Sequence, residues 1–146
     1  MKKNDYFQLA LHENSKRNPD FKKMYDFFEK SYKQGNIKAA YALGTWYLHG
    51  YHVKKNLKKA IKLIKNAANA NVSEALYDLA VSYEIGKGSK KSSRLAFEYY
   101  LKSALYGDKQ SLFEVGRCYF YGIGVSKNRR ISKIWIEKAK NEGITE

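Results

Sequence analysis

The chain matches itself when it is shifted along its own sequence by 36 residues. A hydrophobic position, a glycine or alanine, a tyrosine and a second glycine each recur at this spacing. These sets are Leu43, Leu79 and Val115; Gly44, Ala80 and Gly116; Tyr47, Tyr83 and Tyr119; and Gly50, Gly86 and Gly122. A fixed period of this length is typical of stacked repeats, in which each unit buries its hydrophobic face against the next. We therefore expect one repeat domain over 1–146, with repeats at 37–72, 73–108 and 109–144 and a degenerate capping repeat over 1–36.

Each repeat has the pattern of two amphipathic helices. Apolar residues recur at three- and four-residue spacing over 37–49 and, after a loop from His49 to Lys55, again from about Leu57 to Ala70. The sequence therefore predicts an all-α fold of eight helices in four helix-turn-helix repeats. The predicted N-caps are Asn36, Ser73 and Asp108 for the first helices and Asn56, Ser92 and Asn128 for the second. The residues that follow the second helices, and that tolerate a left-handed C-terminal cap, are Gly35, Asn71, Gly107 and Gly143.

The N-terminal 36 residues fit the period less well. By register, Phe7 and Leu11 take the core positions of Leu43 and Tyr47. Pro19 is predicted to occupy the first position of a helix, where its missing amide hydrogen has no intrahelical partner to lose. A degenerate terminal repeat is expected because one of its faces meets water instead of a neighbour.

The charge of the chain is strongly basic and unevenly distributed. The net charge is +14, and residues 37–72 carry seven basic and no acidic side chains. Such a block favours an acidic partner or serves solubility. The sequence has neither the apolar stretch of a signal peptide nor a run long enough to span a membrane, and its single cysteine cannot form an internal disulfide. We expect a soluble, cytoplasmic protein that does not engage a membrane.

The residue types that carry catalysis or bind metals are poorly placed for either task. His49 and His52 are close in sequence, but 37–72 contains no carboxylate that could orient them or complete a metal site. Cys118 falls in the middle of a predicted helix and has no histidine at an activating spacing. The loop at Gly122–Gly124 lacks the lysine of a phosphate-binding loop. We therefore predict that the protein is not an enzyme and uses no cofactor or metal.

The third repeat carries a specific motif. Residues 112–125 read LFEVGRCYFYGIGV, and Asn128 and the segment WIEKA over 135–139 follow. This pattern resembles the Sel-one-like repeat, a relative of the tetratricopeptide repeat whose motif runs L-G-x-x-Y-x-x-G-x-G-V, an acidic residue, K-A, an aromatic pair and A-A-x-x-G. The first repeat keeps Leu43-Gly44, Tyr47, Gly50, Val53, Lys59-Ala60 and Ala67-Ala68, and the second keeps Tyr83, Gly86, Gly88, Ala96, Tyr99-Tyr100 and Ala104. His52 and Asn71 replace glycines of the motif, which the local geometry allows.

The resemblance implies a right-handed α-α solenoid that binds partners in a concave groove lined by the first helix of each pair. By register, the groove residues are Lys38, Tyr41, Thr45 and Leu48 in the first repeat, Glu74, Tyr77, Val81 and Glu84 in the second, and Gln110, Phe113, Arg117 and Phe120 in the third. Tyr41, Tyr77 and Phe113 form an aromatic series outside the core positions of the motif. Exposed aromatic residues and arginine are favoured anchors of protein interfaces. The alternative is that these rings pack against neighbouring helices as part of the core.

Together these features predict a non-enzymatic, monomeric module that binds another protein with an acidic surface. One version, by analogy alone, is a bacterial immunity or regulatory protein that masks a toxin or effector. The alternatives are a general scaffold and a nucleic-acid-binding protein with salt-dependent, largely sequence-independent affinity. We favour a protein partner, because long lysines on outward helix faces are usually solvated. The lysine-rich face in question comprises Lys54, Lys55, Lys58, Lys59, Lys62 and Lys65, with Lys87, Lys90, Lys91, Lys127, Arg129 and Arg130 in equivalent loops.

Overall fold

The computed structural model describes residues 5–145, and this part of the chain contains eight α-helices and no strand. The helices are α1 (Tyr6–Asn14), α2 (Phe21–Lys33), α3 (Ile37–His49), α4 (Leu57–Asn69), α5 (Ser73–Ile85), α6 (Ser93–Leu105), α7 (Lys109–Tyr121) and α8 (Arg129–Asn141). The all-α fold with a 36-residue period is therefore confirmed. None of the described helices combines the length and hydrophobicity needed to cross a bilayer.

The chain divides into two compact units, Met1–Ala70 and Asn71–Glu146. The first unit contains α1 to α4 and the second contains α5 to α8. Within each unit the helices pair as consecutive hairpins, and the second helix of the first hairpin packs on the first helix of the next, as α2 does on α3 and α6 on α7. The expectation of a single repeat domain over the whole chain stays a prediction.

The core of the first unit is built mainly from α3. Leu43 is only 3% exposed, and the Trp46 ring meets the edge of Phe28 from α2 at 5.8 Å. Gly44 allows close helix packing, because an added Cβ would lie 2.9 Å from Cγ1 of the buried Ile64 on α4. The buried members of this cluster are Ala10, Met24, Phe28, Ala39, Ala40, Leu43, Trp46, Tyr47, Ala60 and Leu63.

The degenerate N-terminal repeat differs from the expectation in two respects. Leu11, predicted at a core position, is 41% exposed, and its neighbour Ala10 is fully buried instead. Phe7 does pack on the core, with its ring 5.9 Å from that of Phe28. Pro19 precedes the N-cap instead of opening the helix, because Asp20 caps α2 by accepting a hydrogen bond from the Lys23 amide.

The core of the second unit joins α5, α6 and α7, and it includes buried hydroxyls as well as apolar side chains. The buried hydrophobic members of the cluster that joins these helices are Ala80, Ala96, Phe97, Tyr100, Val115 and Cys118. Ser103 Oγ donates to the Ser73 carbonyl oxygen at 2.7 Å and accepts a hydrogen bond from Ser111 Oγ at 2.9 Å. Ser132 Oγ on α8 donates to the Gly116 carbonyl oxygen at 2.7 Å. These partners offset the cost of burying the hydroxyls and fix the helices relative to one another.

The predicted N-caps hold with one exception. Side-chain oxygens of Asn36, Asn56, Ser92, Asp108 and Asn128 each accept a backbone amide hydrogen at the start of the following helix. Ser73 does not cap α5: it is the first residue of that helix, and its hydroxyl bonds to the Glu74 carboxylate. Val72 lies 36 residues after Asn36 and 36 residues before Asp108, and it is the N-cap residue of α5. Its side chain makes no capping hydrogen bond.

Two loop positions confirm that the substitutions for glycine are tolerated. His52 and Asn71 adopt φ angles of 59° and 62°, in the left-handed region that glycine occupies in the corresponding turns. Gly124, at φ 68°, also packs tightly on the start of α6, because an added Cβ would overlap the Ser93 carbonyl group and lie 3.0 Å from Arg94 Cα. Only glycine fits this last position without displacing backbone.

Candidate partner-binding surface

The predicted groove residues of the second unit lie on α5 and α7, and two of them bind each other. Arg117 on α7 bonds through Nη2 to the Glu84 carboxylate on α5 at 2.8 Å and through Nε to the Glu114 carboxylate at 2.7 Å. Tyr100 on α6 donates its hydroxyl hydrogen to the same Glu84 oxygen at 2.7 Å. Arg117 therefore joins α7 to α5, and Glu84 extends the network to α6 through Tyr100. The Arg117 side chain is 26% exposed, so part of its surface still faces solvent.

These contacts shift the ionisation of the groups involved. Burial by itself would raise the pKa of Glu84, but hydrogen bonds from Arg117 and Tyr100 outweigh it and lower that pKa below its ordinary value. Burial and the bond to Glu84 both raise the pKa of Tyr100. Burial would lower the pKa of Arg117, but the two carboxylates raise it well above its ordinary value. Arg117 is therefore a permanent cation, and Glu84 stays ionised at neutral pH.

Tyr77 and Val81 on α5 combine a packing role with partial exposure. The Tyr77 ring meets the Tyr100 ring edge-on at 5.7 Å, and burial raises the pKa of the Tyr77 hydroxyl. Both Tyr77 and Val81 pack against the core cluster of this unit, yet neither is fully buried. Tyr77 is therefore compatible with both the core and the groove interpretation, because part of the residue packs on the core and part is accessible.

Three of the four predicted groove residues on α7, Phe113, Arg117 and Phe120, come together around one open pocket, and Gln110 does not line it. This α7–α8 pocket has a volume of about 400 Å³ and is lined by Phe113, Arg117, Phe120, Tyr121, Ser132 and Ile136. Phe120 is 38% exposed and Tyr121 66% exposed. The Arg129 guanidinium lies over the Phe120 ring at 4.5 Å from its centroid. Sequence reasoning missed Ser132 and Ile136 because it assigned the groove to first helices alone, and it missed Tyr121 because that residue lies outside the groove register of α7.

In the first unit the predicted residues all lie on α3. Tyr41, Thr45 and Leu48 are each partly buried, and Lys38 is exposed. Leu48 packs against the core cluster, and the Thr45 hydroxyl donates to the Ala42 carbonyl oxygen at 2.8 Å. This hydroxyl already serves its own helix, and Lys38 is the exposed member of the four.

The family model for the Sel1 repeat matches residues 37–72, 73–108 and 109–144, in the same register as the internal period. The chain belongs to the Sel1 repeat family. In this Sel1 repeat protein the motif glycines are structural: a Cβ at Gly116 would lie 2.6 Å from Ile136 Cδ1, just as Gly44 meets Ile64 in the first repeat. No curated protein sequence matches the chain.

Solved structures share this fold. The antigen c5321 of uropathogenic Escherichia coli displays an SLR fold and superposes on 94% of this chain with a TM-score of 0.89 at 26% identity. This chain spans 30% of the length of that protein. A Sel1 repeat protein from Oxalobacter formigenes gives a TM-score of 0.74 at 32% identity over 80% of this chain and 87% of its own. The immunity protein PA5088 of Pseudomonas aeruginosa gives 0.62 at 20% identity, covering 94% of this chain and 51% of its own, a likeness of fold alone.

The lysine-rich face of the first unit is exposed, and one of its lysines, Lys59, contacts a pair of tyrosines. Lys59 donates to the Tyr47 hydroxyl at 3.4 Å and lies over the Tyr47 ring, whose hydroxyl bonds to that of Tyr25 at 2.7 Å. Burial and this tyrosine pair raise the pKa of Tyr25. The other lysines of α4 and the preceding loop, Lys54, Lys55, Lys58, Lys62 and Lys65, are exposed.

The candidate reactive groups are engaged in packing. Cys118 is fully buried, and burial raises the pKa of its thiol to about 12. His52 stacks on Phe21 at 3.5 Å between ring centroids, and His49 stacks on Tyr51 at 4.9 Å. Among residues 5–145, no cluster of three or more histidine, cysteine or acidic side chains has the arrangement of a metal site.

Proposed function

We propose that this Sel1 repeat protein is a non-enzymatic module that binds a partner protein through residues on its first helices. The proposed contact set is Tyr41, Thr45, Leu48, Tyr77, Val81, Glu84, Phe113, Arg117 and Phe120. The observation that carries the proposal is the α7–α8 pocket, where two phenylalanines and an arginine of this set surround an open, largely apolar surface. Aromatic residues and arginine at the centre of such a surface supply most of the binding energy in known interfaces.

The charge of the molecule supports an acidic partner. The chain carries a net charge of +14, and the lysines of residues 54–65 are exposed. Complementary charge would accelerate association and help to exclude basic competitors. A regulatory or immunity role, in which the protein masks a toxin or effector, is a specific form of this function. The immunity protein PA5088 provides a precedent for such a role on the same fold.

Affinity capture with a matched control tests the proposal. Tagged full-length protein is cross-linked in a lysate of its source organism, and co-purifying proteins are quantified by mass spectrometry. The double variant F113A/F120A should lose the captured partner. The control L105A, which truncates a 72%-exposed leucine on α6, should retain it. Circular dichroism must show unchanged helicity in all variants.

Two outcomes would contradict this function. The first is the absence of any stoichiometric protein partner after cross-linking. The second is tight binding of RNA or DNA oligomers that persists near physiological salt, because binding through exposed lysines alone weakens steeply as counterions compete. The second outcome would establish the nucleic-acid alternative, for which the exposed lysine-rich face is the supporting observation.

A further inference from the structure

The α7–α8 pocket lies, by register, where a helix already docks in the preceding repeat. Phe113, Arg117, Phe120, Ser132 and Ile136 line the pocket, and the residues 36 positions earlier are Tyr77, Val81, Glu84, Ala96 and Tyr100. That earlier surface is covered by α7: its apolar members belong to one cluster with Val115 and Cys118, and Glu84 bonds to Arg117. Among residues 5–145, no helix covers the same surface on the α7–α8 hairpin.

The side chains at the pocket suit a helix with an apolar face. Glu84 of the covered surface is replaced by Phe120, and Tyr100 by Ile136. With Phe113, these residues form an apolar centre flanked by the α7 and α8 backbones. Amphipathic helices bind grooves of this kind by inserting apolar residues at three- and four-residue spacing.

The α8 side of the pocket is basic. Arg129, Lys133 and Lys140 lie at helical spacing on the same stripe of α8 as Ser132 and Ile136, and all three are exposed. Lys133 takes the place of the buried Phe97 of the preceding repeat, so the apolar surface ends in a cationic edge here. A docked helix would place its flanking residues beside these cations, which favours aspartate and glutamate at those positions.

From this geometry we propose that the α7–α8 pocket is the docking site of an amphipathic helix from a partner protein, with acidic residues beside its apolar face. The helix would occupy the position relative to α7 and α8 that α7 occupies relative to α5 and α6. A second copy of this chain is a poorer occupant, since each copy carries a charge of +14 and like charges repel across an interface. The inference rests on the proposed function and names the chemistry of its partner.

Selection from a random peptide library tests the site and its charge preference. A displayed library of 16-residue peptides is selected against the full-length protein at physiological salt, and individual binders are measured by fluorescence anisotropy. We expect the enriched peptides to be amphipathic helices with acidic flanks. I136A and F120A should each weaken binding at least tenfold, while L105A leaves it unchanged.

Charge reversal provides a second test, which does not depend on packing. K133E alters an exposed residue, so folding should be preserved; it should weaken the acidic peptides several-fold and strengthen versions with lysine in place of the flanking acids. K102E, at an exposed position on α6, should do neither. The inference is overturned if the enriched peptides are basic, if they bind I136A and K133E as well as the parent, or if sedimentation shows a dimer that I136A abolishes. If a captured cellular partner tolerates I136A and K133E but requires Tyr41, the proposed function stands and this inference fails.

Discussion

Replacement of Gly124 by alanine should lower the unfolding free energy more than most substitutions that add a single methyl group to this protein. The residue adopts a left-handed φ of 68° in the loop between α7 and α8, where it lies against the first turn of α6. An added Cβ would overlap the Ser93 carbonyl oxygen, approach its carbonyl carbon to 2.5 Å and lie 3.0 Å from Arg94 Cα. All of these atoms are backbone, so the overlap can be relieved only by moving the loop away from α6.

Two costs combine at this position. A non-glycine residue in the left-handed conformation costs about 1–2 kcal/mol. Steric overpacking in a well-packed region costs a further 1–3 kcal/mol or so. The expected loss of unfolding free energy for G124A is therefore about 2–5 kcal/mol by these two contributions.

Gly122 supplies a matched control in the same loop. Its φ is 73°, so G122A should incur the same conformational cost, but its Cβ would meet Lys127 Cβ at 3.4 Å, close to ordinary contact. We expect G122A to lose only about 1–2 kcal/mol. Urea denaturation of both full-length variants, followed by circular dichroism, measures the difference. If G124A loses no more than G122A within about 0.5 kcal/mol, the tight contact between this loop and α6 does not exist in solution.

Three further predictions concern a cap, an ion pair and a thiol. V72N should raise the unfolding free energy by about 0.5–1 kcal/mol in thermal or urea denaturation, because it restores the side-chain cap that Asn36 provides at the equivalent position; a loss would show that Val72 packing outweighs capping. Because the folded-state pKa of Glu84 lies below its ordinary value, the network with Arg117 should stabilise the protein fully above the pKa of the unfolded chain and be lost as pH falls through the lower folded-state pKa. E84Q should therefore flatten the acid limb of the stability–pH curve, and an unchanged limb would contradict the assignment. With a pKa of about 12, Cys118 should react with iodoacetamide at pH 8 on the order of a thousandfold more slowly in the folded than in the unfolded protein, whereas comparable rates would show that the thiol is accessible.

The helix boundaries followed from the sequence because they depend on local interactions that every repeat shares. Hydrophobic spacing, capping side chains and left-handed residues recur every 36 positions, so each repeat gives independent support to the others. The two errors in capping are each one residue in size. Ser73 directly follows the N-cap Val72, and Pro19 directly precedes the N-cap Asp20. Strict use of the period would have identified Val72.

The candidate site depended on contacts between repeats, which the sequence pattern does not specify. Glu84 and Arg117 both fell at predicted groove positions, but their ion pair requires α5 and α7 to lie close enough for a long side chain to bridge them. The exposure of Leu11 likewise depends on how a short α1 rotates against α2.

The amino-acid sequence by itself determined that this chain forms repeating helical hairpins, because helix formation and capping are decided within a few residues of each position. Only the tertiary structure decided which side chains bind each other and which remain available to a partner. Those outcomes depend on distances between helices. A repeated motif gives equivalent backbones the same arrangement, but which interaction forms between two facing side chains depends on the residue types at those two positions.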